Sequence, residues 1–148
     1  MLIVGNGRMI TRDVSCPFLE DGAVVMDKNK IIEVGQTEDI RKVYKEAEYI
    51  DAKKGVIMPA FINTHEHIYS AMARGLSIDG YDPKGFLDIL DGMWWTIDRN
   101  LSEEQILQSA RATYIDSIKN GVTTVFDHHA SFGSITDSLF IIEEAAKE

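Results

Sequence analysis

Hydrophobic positions in the first third of the chain form short runs of β type, each closed by a turn former. Leu2 to Val4 precedes Asn6-Gly7, Ala23 to Met26 precedes Asp27 to Lys30, and Ile31 to Val34 precedes Gly35. Two such runs joined by Asp27-Lys28-Asn29-Lys30 predict a β-hairpin. Thr37 then offers a helix N-cap, with Glu38 and Asp39 behind it and Ile40, Val43 and Tyr44 at helical spacing. Tyr49-Ile50-Asp51-Ala52 reads as one more strand before the turn-prone Lys53-Lys54-Gly55. Residues 1–55 are therefore expected to form a small β-rich module.

From Val56 onward the period changes. Val56 to Asn63 is an apolar run interrupted by one proline, and Val122 to Phe126 is a second, β-branched run. Between them Ser102 and Gln105 have the spacing of a capping box, Ile106, Ala110, Thr113, Ile115 and Ile118 form the expected buried stripe, and Asn120-Gly121 marks the stop. Strand, crossover helix and parallel strand make a unit of an α/β sheet covered on both faces. A last helix is expected from Ile135 to about Lys147, starting at Ser134. The glycine-rich stretch from Gly75 to Gly92 predicts a long loop running into Met93-Trp94-Trp95. Loops after barrel strands face substrate, which makes Trp94 a pocket candidate, although its spacing from Ile89 and Leu90 also suits packing.

Composition narrows the function classes. The chain has 148 residues, 45% of them hydrophobic, enough to bury a core. A formal charge of -9 with 15 scattered basic residues argues against a nucleic-acid partner. No apolar run approaches the ~18 residues of a membrane span. The single cysteine, Cys16, has no partner for an intrachain disulfide, and the start lacks a secretory pattern, so a cytoplasmic location is expected. There is no Gly-rich dinucleotide fingerprint and no Gly-X-Ser-X-Gly elbow.

The chemistry sits in the histidines. All 4 fall in two clusters, each closing a predicted strand. In Asn63-Thr64-His65-Glu66-His67 the two imidazoles are two residues apart, so on an extended chain they project from one face, their Cα atoms ~6.5 Å apart. That separation lets both lean onto one metal ion, while Glu66 points away and suits the orienting of a neighbour. On residues alone, two hydrogen-bonded polar side chains at a strand end is the competing reading. In the second cluster, Asp127-His128-His129, alternation puts Asp127 and His129 on one face and His128 on the other, without saying which looks inward. All three are pocket candidates.

The run Gly55-Val-Ile-Met-Pro-Ala-Phe-Ile-Asn-Thr-His-Glu-His67 resembles the first-strand signature of the amidohydrolase superfamily, with Ala60 where a glycine is usual. Met72-Ala-Arg-Gly75 and Asn120-Gly-Val-Thr-Thr124 resemble its chlorohydrolase and cyclic-amidine deaminase branch. Glu66, Ile68-Tyr69-Ser70 and Asp127-His128-His129-Ala130 look most like SsnA-type aminohydrolases. The resemblance implies part of a small β-sandwich over residues 1–55, and the first two β/α units of a (β/α)8 TIM barrel over 56–148. It implies His65 and His67 as ligands of a divalent metal, zinc first and iron second. It also implies attack of metal-activated water on an sp2 carbon bearing a non-peptide C–N bond, with a small-molecule substrate such as a nitrogen heterocycle.

Such a barrel needs about 250 residues, and its remaining ligands and general base lie on strands beyond these two. The chain alone is therefore expected to be inactive, as a fragment, as one piece of a split protein, or as a subunit that associates with its C-terminal part or its own copies. The alternative is a binding or assembly module that keeps the fold without catalysis.

Overall fold

Strand β1 (Leu2–Ile10) alternates buried and half-buried residues, as a strand with one face on a core must. In the computed structural model, which describes residues 1–148, it lies inside a sheet ordered β3-β2-β1-β4. β2 (Phe18–Asp27) runs antiparallel to both β1 and β3 (Lys30–Gln36), and Asp27 faces Lys30 across the expected hairpin. β4 (Glu48–Asp51) pairs in parallel with β1, so that Ile3 lies beside Val25 and Tyr49. The core of this unit is Ile3, Ala23, Val25 and Ile40.

Asn6-Gly7 does not end the first strand as expected. Asn6 takes a left-handed conformation (φ 57°) within β1, where the register to β2 shifts between Val4 and Gly7. This is a bulge, and asparagine tolerates it because its polar groups find partners off the ladder. Its N–H donates to Thr37 Oγ1 at 2.9 Å and its side chain to Asp51 Oδ1 at 2.6 Å. The same network corrects the reading of Thr37. It is the first residue of α1 (Thr37–Val43), behind an uncapped Gln36, and its buried hydroxyl lies 3.0 Å from Gly22 O.

The apolar run from Val56 also divides. β5 (Val56–Ile57) pairs with β1, and only after Met58-Pro59 does β6 (Phe61–Glu66) begin. Proline brings no N–H to a ladder and restricts the residue before it, which makes it a natural break. The chain accordingly separates into the units Met1–Pro59 and Ala60–Glu148.

In the second unit β6 pairs in parallel with β7 (Val122–Asp127) through the crossover helix α4 (Glu103–Lys119). The capping box is present: Ser102 N donates to Gln105 Oε1 at 2.8 Å, and Gln105 N to Ser102 Oγ at 3.4 Å. Gly121 (φ 73°) stops the helix in the left-handed conformation that glycine adopts freely. Between β6 and α4 come a 3-10 helix (Ile68–Ala73), α2 (Phe86–Ile89), a π-helical turn (Leu90–Trp94) and α3 (Trp95–Asn100). The core joins Ile68 and Tyr69 to Ile106 and Ala110 of α4, and to Ile142 and Ala145 of α5 (Ser138–Lys147).

Three expectations fail here. Ile115 and Ile118 are 57% and 76% exposed. At 3.6 residues per turn Ile115 stands opposite Ile106, so the buried stripe ends with Ala110 and a half-buried Thr113. The last helix starts at Ser138 rather than Ser134, because Asp137 (φ 62°) is left-handed and Ser134 N closes a turn onto Ser131 O. The strands are not deeply covered either: Phe61, Ile62 and Phe126 are 56%, 59% and 60% exposed, since two paired strands leave most of their surface open. No helix is long and apolar enough to cross a membrane.

Candidate functional site

At the C-terminal end of β6 the polar string satisfies itself. Asn63 Oδ1 accepts from His65 N at 3.2 Å, and Asn63 Nδ2 donates to Glu66 Oε2 at 2.8 Å. Glu66 Oε1 accepts from His67 N at 3.1 Å. The rings of His65 and His67 lie together, their centres 5.1 Å apart and their planes at 74°. Two imidazoles on one tetrahedral zinc, at about 2.0 to 2.1 Å per bond, place their centres roughly 5 Å apart, so the pair fits a shared ion.

The second cluster completes the rim. His67 Nδ1 is 2.9 Å from the carbonyl oxygen of His128. A carbonyl only accepts, so Nδ1 carries the proton and Nε2 keeps the lone pair a metal requires. The His128 ring itself lies 5.3 Å from that of His67. No group of three His, Cys, Asp or Glu side chains converges in the chain, whereas catalytic zinc usually takes three protein ligands.

Asp127 and His129 turn elsewhere, as alternation requires. Asp127 Oδ1 accepts from Ile68 N at 2.8 Å, and its Oδ2 lies 3.9 Å from His129 Nδ1. His129 Nε2 is 2.5 Å from Ser131 Oγ and 3.0 Å from Ser138 Oγ. Burial pushes the His129 pKa down, opposed by the charges of Asp127 and Asp98. Beside it Tyr69 donates its hydroxyl to Asp98 Oδ1 at 2.7 Å, and burial, followed by that bond, raises the phenol well above its ordinary pKa.

Trp94 stands half-buried with its ring 6.1 Å from that of His67, so it is not the fully buried core residue that its spacing from Ile89 and Leu90 suited, and Trp95 is 38% exposed. Trp94, His67, Glu66, Met93, Arg74 and Asp116 are among the walls of a cavity of about 650 Å³. Asp127, His128 and His129 are not among them. Sequence reasoning missed Tyr69, Asp98, Ser131 and Ser138. Asp98 left a signal, because it shares a helical face with Trp94, Ile97 and Leu101, where an acid needs a buried partner.

A parallel strand pair that ends in two imidazoles is a mixed α/β scaffold with a candidate metal site, and the comparisons give its family. Residues 56–148 match the Amidohydrolase family, and the chain belongs to it. It is 30% identical to the 5'-deoxyadenosine deaminase of Methanosarcina barkeri, over 99% of this chain and 30% of that protein. The 5-methylthioadenosine/S-adenosylhomocysteine deaminase of Pyrococcus horikoshii is also 30% identical over 99% of this chain, again 30% of its own length. Among solved structures, atrazine chlorohydrolase TrzN from Arthrobacter aurescens TC1, complexed with zinc, superposes with a TM-score of 0.76 at 28% identity, covering 99% of this chain and 33% of that one. The chain thus spans about a third of the length of these relatives and has the mixed α/β fold of their N-terminal portion.

Proposed function

We propose that the chain is the N-terminal portion of a metal-dependent hydrolase acting on non-peptide C–N bonds, with His65 and His67 as two ligands of a divalent ion, zinc first and iron second. The unit Met1–Pro59 is then the sandwich portion, and Ala60–Glu148 the first two β/α units of a (β/α)8 barrel. One observation carries the reading: the two rings sit 5.1 Å apart at a strand's C-terminal rim, with His67 held through Nδ1.

A divalent ion held by His65 and His67 would supply Lewis-acid activation of water for hydrolysis of the C–N bond, with ammonia as the leaving group in a deamination. The chain's own residues do the positioning. Glu66 fixes the backbone of His67, and the His128 carbonyl holds the proton on Nδ1. Trp94 presents a flat apolar face beside His67, suited to a nitrogen heterocycle such as the purines named for the relatives. His128 flanks the rim, whereas the side chains of Asp127 and His129 are spent on internal bonds rather than on substrate.

Calorimetric titration of the metal-free chain with zinc tests this. His65→Ala and His67→Ala should each weaken binding at least about tenfold; affinity unchanged in both variants would refute the ligand assignment. An ammonia-release assay on 5'-deoxyadenosine should be negative for this chain alone, because a third ligand is lacking. Metal-dependent turnover by the chain alone would overturn that part.

A further inference from the structure

We propose that Asp127 is a positioning residue for the metal site, acting through the main chain to hold the His67 imidazole in its Nδ1–H tautomer. The inference rests on the reading of His65 and His67 as metal ligands and adds a residue that touches neither ring.

Ladder pairing between β6 and β7 becomes irregular where the histidines emerge, with a register shift between Asn63 and Glu66 and a last pair formed by Glu66 and Asp127. Beyond that shift, three hydrogen bonds hold the two strand ends together. His128 N donates to Glu66 O at 2.8 Å. Ile68 N donates to Asp127 Oδ1 at 2.8 Å. His67 Nδ1 donates to His128 O at 2.9 Å. The Asp127 carboxylate therefore ties the residue after His67 to the residue before His128. It fixes both sides of the gap across which the imidazole reaches its carbonyl.

The Asp127 side chain is only 18% exposed, so water competes little for the oxygen that accepts from Ile68 N at 2.8 Å. Without it the Ile68 N–H loses its partner and the two chain ends are free to separate. A histidine whose Nδ1 loses its acceptor can move the proton to Nε2, where it blocks metal coordination. The required property of residue 127 is an acceptor at that reach, and negative charge is secondary.

Long-range proton–nitrogen NMR of the histidine rings, on the metal-free chain at a pH where they are neutral, reads the tautomer directly. His67 should be protonated at Nδ1 in the wild type and in Asp127→Asn, whose amide oxygen still accepts from Ile68. In Asp127→Ala a signal from Nε2–H should appear, and zinc affinity should fall about 10- to 100-fold, the usual effect of removing an orienting partner. A wild-type His67 protonated at Nε2, or a loss of Nδ1–H in Asp127→Asn, overturns the proposal even if the alanine variant fails to fold. So does a folded Asp127→Ala with unchanged tautomer and affinity. Zinc binding that survives His65→Ala and His67→Ala would instead sink the metal reading, and the tautomer, which needs no metal, still decides the brace.

Discussion

The two units keep their cores in different places. In Met1–Pro59 the strands carry the core themselves: Ile3, Ala23 and Val25, on β1 and β2, are at most 1% exposed, and α1 adds Ile40. In Ala60–Glu148 none of the six buried core residues lies on a strand; they come from the 3-10 helix, α4 and α5. The strands β6 and β7 are largely open, yet these are the ones that end in histidines. A sheet that packs its own core is positioned by apolar area. The histidine-bearing pair is positioned by helices packed beside it and by side chains that take over main-chain bonds at its rim. The first arrangement resists polar substitutions at strand ends, and the second depends on them.

The largest effects should come from the cores. Ile106 is fully buried between helices, and Ile106→Ala should cost about 2–5 kcal/mol through lost transfer energy and the cavity left behind. Trp94 and Trp95 both lie in the second unit, so denaturation followed by tryptophan fluorescence reads this loss. Ile3→Ala should cost a similar amount in the first unit, where strand circular dichroism reports it. A cost below about 1 kcal/mol for Ile106→Ala would mean that the helices do not carry the second core.

A smaller effect tests the polar half of the contrast. Tyr69→Phe keeps the ring but strands the buried Asp98 carboxylate, which is 4% exposed, and should cost about 1–3 kcal/mol. The phenol's pKa is raised on folding, first by burial and then by the bond to Asp98. The stabilisation is therefore complete below the ordinary phenol value of about 10 and is lost as pH climbs beyond it. Urea titrations of wild type and variant across that range should show a gap that closes above about pH 10. A gap independent of pH would remove the phenol from the account.

This division also explains what could be read from the chain. The hairpin at Asp27 to Lys30, the capping box at Ser102 and the stop at Gly121 were legible because each depends on residues a few positions apart. The pairing of His65 with His67 was legible for the same reason, since strand alternation alone brings the rings to one side. Several failures came where distant partners decide. Thr37 gives up a local cap for bonds to Asn6 and Gly22, and Asn6 bends a strand instead of ending it. The carbonyl of His128 reaching His67 across 61 positions has no local signature at all.

The smallest effects contrast how the two long-range helices of these units begin. Ser102 accepts from Gln105 N while Gln105 reaches back, satisfying two N–H groups that α4 would otherwise leave open. Ser102→Ala should therefore cost about 1 kcal/mol, visible as a lowered midpoint in the tryptophan-monitored titration. α1 starts behind Gln36 with no side-chain cap and relies instead on Glu38 paired with Lys42 at 2.7 Å, both side chains more than 60% exposed. Water and salt screen such a pair, and holding two long side chains in place costs the entropy it returns. Glu38→Gln should leave the first unit's midpoint, followed by circular dichroism, unchanged within error in moderate salt, with any difference appearing only at low ionic strength. A Glu38→Gln loss that matches Ser102→Ala and persists in salt would mean that the charge pair, and not burial of Ile40 and Thr37, holds α1 in place.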